Sequence, residues 1–364
     1  MPVSRYDQAD ADACGHMADR TLFTSGEGEY HTYRIPALLT ATDDVVLAFC
    51  EGRRASASDH GDVDLLCRRS TDGGRTWEPP RVVYADVPWT AVTDGNPCPV
   101  LDGETGTVWL PFCRDNRDVL VTASVDAGRS WTDPVPITAT AKAPAWTWYA
   151  TGPGVGIQLR HGEHAGRLVI PCDHGGRDVS DGHRPDVSYS HMLYSDDHGQ
   201  TWHRGEPIHP HANECQVVER ADGSLLVNMR NHLGHRGGQP DRAGRRLVAT
   251  SADGGETWSD VRLDEALVEP ACQASMITAS PDNPGDTVLF ANPADEAERH
   301  KMTLRRSDDG GETWTDGIVI HEGPAGYSSM TMLPDRDVGI LYERGEENYR
   351  ETLAFERVAL EDLT

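Results

Sequence analysis

An eight-residue pattern, S-x-D-x-G-x-[TS]-W, recurs five times along this chain and constrains its fold more than any other feature. The copies occupy Ser70 to Trp77, Ser124 to Trp131, Ser195 to Trp202, Ser251 to Trp258 and Ser307 to Trp314. Most intervals are about 55 residues, a period that marks an array of similar units. Each copy reads as a tight turn between two strands. The Ser and Asp side chains accept hydrogen bonds from nearby backbone N–H groups. The Gly takes a conformation that a Cβ would oppose, and the Trp buries its ring between neighbouring units. The stretches VDLLCRRS, VLVTASV, RRLVATSA and MTLRRSD that lead into four of the turns have strand composition. Helical periodicity is almost absent, and Gly and Pro are plentiful.

Repeats of this length, each holding several short strands, point to propeller blades. Five motifs imply at least five blades. Leftover strands at the two ends, TLFTSGEGEYHTYRIPALLTA and SSMTMLPDRDVGILYERG with TLAFERVAL, would build and close a sixth. The expectation is an all-β, six-bladed β-propeller with four-stranded antiparallel blades, closed by the N- and C-terminal strands. It would span 21–364, behind a mobile N-terminal extension over 1–20. No linker or low-complexity stretch marks a second domain.

The formal net charge of −26 argues against nucleic acid as a partner, because that binding needs a basic surface to neutralise phosphates. Mean hydropathy is −0.54, and no apolar run approaches the ~18 residues of a bilayer span, so no membrane insertion is expected. The first residues, MPVSRYDQADADACGH, hold no apolar core of a secretion signal. The sequence as written therefore reads as cytoplasmic, or as secreted if a leader has been removed. The eight cysteines are scattered without a C-x-x-C pair, which favours buried reduced thiols over a disulfide framework. The Asp-Gly-Gly runs lack the ligand spacing of a calcium loop. The sixteen histidines form no H-E-x-x-H or Cys/His cluster. Neither a metal nor an organic cofactor is expected.

The repeated element resembles the Asp box of sialidases, which also occurs in non-catalytic propellers. Tyr33-Arg34-Ile35-Pro36, ahead of the first box, is similar to the YRIP motif of that family. Further matches follow in family order: EGRR from Glu51, SDHGDVDL from Ser58, NPCPV from Asn96, NECQVVE from Asn213, NMRN from Asn228, the run Arg299 to Arg305, and AGYSSM from Ala325. The resemblance extends over essentially everything after Thr21. It implies an exo-α-sialidase, a retaining glycoside hydrolase acting on sialylated oligosaccharides, glycoproteins or glycolipids. On it, Arg34, Arg230 and Arg299 would hold the sugar's carboxylate, with Arg53 as a further arginine of the pocket. Asp59 would be the acid/base, Tyr327 the nucleophile, and Glu214 the base that activates the tyrosine.

The chemistry fits these residue types. A sialoside carries a carboxylate on the carbon that reacts. Converging guanidinium groups grip it through bidentate, charge-assisted hydrogen bonds that lysine does not reproduce. A neutral phenol avoids like-charge repulsion with that carboxylate, and sialidases are the exception to the usual Asp or Glu nucleophile. With an ordinary pKa near 10, the phenol needs a neighbouring base.

Asp115, Asp173 and Tyr149 are further candidates for the substrate's hydroxyl or acyl groups, with Trp146 and Trp148 beside Tyr149; ordinary core or loop roles compete at each. The box residues Asp72, Asp126, Asp197, Asp253 and Asp309 read as structural. Two other functions compete with the sialidase reading. A hydrolase for a related nonulosonic acid would use the same carboxylate clamp. A non-catalytic glycan-binding propeller would be expected to have lost Asp59, Tyr327 or Glu214.

Overall fold

The computed structural model describes residues 20–86, 91–176, 187–234, 236–279 and 286–363. The extension expected over 1–20 lies almost wholly outside them. Short antiparallel strands dominate, and the longest helix is the single turn Thr138–Ala141. No helix among the described residues is long and apolar enough to cross a membrane. The seven described cysteines are buried and free of disulfides.

The chain is an all-β propeller, but the expected six separate four-stranded blades do not form. Four sheets are discrete. Thr32–Thr40 to Arg81–Tyr84 and Ala212–Glu219 to Arg262–Val268 are four-stranded, while Asp94–Gly95 to Val135–Pro136 and Trp146–Thr151 to His203–Arg204 are five-stranded. The remaining strands make one continuous seven-stranded sheet, ordered from Arg20–Thr24 through Thr352–Val358, Val338–Arg344, Ile318–Met332, His300–Ser307 and Val288–Pro293 to Ser275–Thr278. The correction has a local cause. Ile318–Met332 is one unbroken strand of 15 residues. Its first part pairs with His300–Ser307 and its second with Val338–Arg344. Counting blades by turns fails where no turn intervenes. The N-terminal strand Arg20–Thr24 pairs antiparallel with Thr352–Val358, which ties the two ends of the described chain together.

The repeated turns are built from their own side chains. In the first, Ser70 Oγ accepts the Gly74 N–H at 2.8 Å, and Asp72 Oδ1 accepts the Thr76 N–H at 2.8 Å. Gly74 has φ +84°, and a Cβ there would lie 2.8 Å from the Phe355 ring. The turn tryptophans reach phenylalanines of the sheets: Trp77 meets Phe355 at 5.1 Å, Trp131 meets Phe49 at 5.8 Å, and Trp314 meets Phe290 at 5.6 Å between ring centres. Such aromatic contacts add ~0.5–1.5 kcal/mol each beyond burial. Trp77 joins the first box to the last strand, so the anchor also fastens the two ends of the array.

Candidate active site

Three strands break their pairing close to one another. Between Arg34 and Ala37 the register with Val46–Arg53 shifts. Shifts also fall between Ala212 and Cys215, around Glu214, and between Ala325 and Ser328, around Tyr327. Bulges of this kind re-aim side chains near functional sites. At the first of them Ile35 has φ +59°, a costly conformation for a β-branched residue. Its N–H donates to Glu343 Oε1 at 3.1 Å, and its side chain lies against Cys272 and Tyr327.

The three bulges open onto one cavity of about 1080 Å³. Arg34, Arg53, Asp59, Glu214, Arg230, Arg299 and Tyr327 all line it. Tyr327 sits at the centre of the cations. The Arg34 guanidinium carbon lies 4.9 Å and that of Arg299 5.5 Å from its ring centre, and Arg230 Nη1 donates to its oxygen at 3.1 Å. Its O–H donates to Glu214 Oε1 through a short hydrogen bond. The other Glu214 oxygen takes Arg230 Nη1 at 2.6 Å. Burial, then the Glu214 carboxylate, hold the phenol's pKa well above its ordinary value, against the opposing pull of Arg230, Arg299 and Arg34. Tyr327 is therefore a neutral donor in this state.

Asp59 stands at the open side, with 71% of its side chain exposed. Its Oδ1 accepts Arg53 Nη1 at 2.7 Å and Arg34 Nη1 at 3.2 Å. Partial burial pushes its pKa up, but Arg53 and Arg34 more than offset this and leave it below the ordinary value. Arg53 is held from behind by Glu51, whose Oε2 accepts Nη2 at 2.7 Å. Arg299 makes no ion pair with a described carboxylate; its Nη1 donates to the Tyr349 hydroxyl at 3.2 Å.

Three predicted residues do not reach the cavity. Tyr149 is fully buried in a hydrophobic cluster, its hydroxyl 3.1 Å from His191 Nε2. Asp115 is exposed in a turn, where its Oδ1 accepts the Thr93 N–H at 3.0 Å; its neighbour Asn116 lines the cavity instead. Asp173 is fully buried, with Oδ1 accepting Asn213 Nδ2 at 2.7 Å and Oδ2 unpartnered. Burial, then the Glu214 charge, raise its pKa well above its ordinary value. A register shift between Trp146 and Trp148 breaks the strand's alternation there: Trp148 lines the cavity, while Trp146 stacks on His174 with ring centres 3.4 Å apart.

Sequence reasoning missed Glu343. It is fully buried and takes Arg34 Nε at 2.9 Å and Nη2 at 3.1 Å, besides the N–H groups of Ile35 and of Tyr327 at 3.1 Å each. One carboxylate thus positions both the arginine and the tyrosine. Its only signal was an acid beside Arg344 in the mostly apolar strand VGILYER. Gly326 makes room for it, since a Cβ there would collide with Glu343 and lie 2.7 Å from the Tyr349 ring.

Comparison with known proteins agrees with this architecture. The model of a BNR repeat-like domain matches residues 44–341. A sialidase of Micromonospora viridifaciens is 35% identical over 352 residues, covering 90% of this chain and 52% of that protein. A sialidase of Bacteroides fragilis is 30% identical, covering 93% of this chain and 64% of that protein. The chain thus spans about half to two thirds of the length of these relatives. Among solved structures, the Hadza microbial sialidase Hz136 superposes with a TM-score of 0.82 at 29% identity, covering 95% of this chain and 69% of that one. By the family model and by identity over nine-tenths of its length, this chain belongs to the sialidase family with BNR repeats.

Proposed function

We propose that the protein is a retaining exo-α-sialidase that releases terminal sialic acid through a tyrosyl-sugar intermediate. The observation that carries this reading is the convergence of Arg34, Arg230 and Arg299 on Tyr327, whose O–H is already bonded to Glu214. An anion gripped by those guanidiniums holds its reacting carbon next to the phenol. Proximity of that kind is a large part of catalysis.

The steps follow from the side chains. The substrate carboxylate takes donors from the three arginines, including Arg34 Nη1, which Asp59 occupies in the free protein. Losing that partner and gaining a nearby anion raises the Asp59 pKa, which suits an acid. Asp59 protonates the leaving oxygen as Tyr327 attacks the anomeric carbon, and Glu214 accepts the phenolic proton. Arg230, bonded to both Glu214 and the Tyr327 oxygen, stabilises phenolate character as it develops. Asp59 then deprotonates a water that cleaves the tyrosyl-sugar bond, giving net retention. Related nonulosonic acids share the carboxylate and would meet the same clamp.

The test is release of a fluorophore from an α-ketoside of N-acetylneuraminic acid. Asp59→Ala and Tyr327→Phe should each lower kcat by roughly 10²–10⁴-fold. Wild-type protein that releases no more fluorophore than these variants would remove the substrate assignment.

A further inference from the structure

The three arginines of the clamp are not held alike. Arg34 is fixed by the Glu343 carboxylate and Arg230 by that of Glu214. Arg299 makes no ion pair with a described carboxylate. It also stands in a bend just ahead of the strand His300–Ser307, so strand alternation does not aim its side chain. What surrounds its guanidinium is aromatic. The guanidinium carbon lies 5.5 Å from the Tyr327 ring centre and 5.1 Å from that of Tyr349, and Nη1 donates to the Tyr349 hydroxyl at 3.2 Å.

Tyr349 is shared by two members of the clamp. The Arg34 guanidinium carbon is 5.6 Å from its ring centre, and a guanidinium within ~6 Å of an aromatic centroid is attracted by the ring's quadrupole. The tyrosine lines the same cavity. A Cβ on Gly326 would lie 2.7 Å from its ring, so the ring packs on the backbone next to Tyr327. The loop that carries it joins Val338–Arg344 to Thr352–Val358 and is tied by its own side chains. Glu351 accepts the N–H groups of Glu346 at 3.0 Å, Glu347 at 2.9 Å and Asn348 at 2.7 Å. Asn348 Oδ1 accepts the Arg350 N–H at 2.9 Å, and the Arg350 carbonyl takes Ser25 Oγ at 2.6 Å. The residues on both sides of Tyr349 are thereby fixed. A hydroxyl orients a guanidinium without a countercharge, whereas a carboxylate in its place would compete with the substrate's own carboxylate for the same donors.

We propose that Tyr349 is a positioning residue of the carboxylate clamp: its hydroxyl and ring aim Arg299, its ring braces Arg34, and the Arg299 charge is left whole for the substrate's carboxylate. This rests on the sialidase reading above. The hydroxyl acts through Arg299 alone, the ring through both arginines.

The experiment measures kcat and KM for the fluorogenic ketoside in wild-type protein, Tyr349→Phe and Tyr349→Leu. Tyr349→Phe keeps the ring and loses the acceptor for Arg299, and should raise KM about 5-fold. Tyr349→Leu loses both and should raise it about 30-fold. In each, kcat should stay within about threefold of wild type, because the nucleophile, its base and the acid are untouched. In an Arg299→Leu background, Tyr349→Phe should lower kcat/KM no further, a result that general loosening of the loop would not give. Should Tyr349→Leu fail to fold, Tyr349→Phe in the two backgrounds decides. A KM within about twofold of wild type in Tyr349→Phe, an equal loss with and without Arg299, or a fall in kcat at unchanged KM overturns the proposal while the sialidase reading stands. Wild-type protein that does not cleave the ketoside overturns both.

Discussion

Two sets of carboxylates in this molecule are satisfied in opposite ways. Those of the repeated turns are served by their own neighbours. Asp126 accepts the Ser130 hydroxyl and the N–H groups of Ser130 and Arg129, all within four residues, and these bonds bring its pKa down to about 2. Two links at the cavity instead reach far along the chain. Arg34 and Glu343 are 309 residues apart, and Tyr327 and Glu214 are 113 apart. The turns form wherever the octapeptide occurs. The cavity exists only once the whole ring has closed.

The sharpest way to break this contrast is to remove the carboxylate on which the cavity centres. Glu343→Ala leaves the fully buried Arg34 without its main partner and releases two backbone N–H groups. Stripping one partner from a buried ion pair costs about 3–5 kcal/mol. Urea unfolding should show that loss, and hydrolysis should fall with it because Arg34 and Tyr327 are both released. A variant with wild-type stability would mean that the Arg34 clamp contributes nothing.

The same contrast explains what could be read from the sequence. A box is legible because its donors and acceptors lie inside eight residues, so the pattern carries the geometry. The site was legible only through family motifs, since nothing near Tyr327 announces Glu214. Glu343 stayed hidden because a single acid in a mostly apolar strand names no partner. Asp115 and Tyr149 misled because residue type does not say which face of a strand or turn a side chain takes. The blade count failed at Ile318–Met332, where one strand serves two sets of neighbours without a turn.

Acid should next separate the turns from a buried histidine pair outside the cavity lining. His174 and His191 are buried side by side, Nδ1 to Nδ1 at 3.0 Å. Burial lowers the His174 pKa to about 3; it also lowers that of His191, helped by His174 and Arg204. Both are neutral when folded, whereas the unfolded chain protonates them near pH 6.5, so their contribution is complete above that pH. It is lost as the pH falls toward about 3, at ~1.4 kcal/mol per pH unit for each histidine that stays neutral. The box carboxylates Asp126 and Asp309 have folded values depressed to about 2, and weaken only below about pH 4. Unfolding midpoints should therefore decline between pH 6.5 and 5; a flat profile over that window would contradict buried neutral histidines.

The smallest effect is expected in a turn. Asp309→Ala removes acceptors for the N–H groups of Glu312 and Thr313 and for the Thr313 hydroxyl. The turn is exposed, so the loss should be about 1 kcal/mol, with kcat unchanged. A change in kcat beyond two- or three-fold would show that the turns do more than fold the chain.

The central claim is that the phenol of Tyr327 becomes bonded to the sugar, and trapping that bond tests it most directly. The protein would be treated with a 2,3-difluoro sialyl fluoride, digested and mapped by mass spectrometry. The account predicts a sugar-mass increment on the peptide carrying Tyr327, absent in Tyr327→Phe. Inactivation with the increment on another residue, or on none, would contradict it.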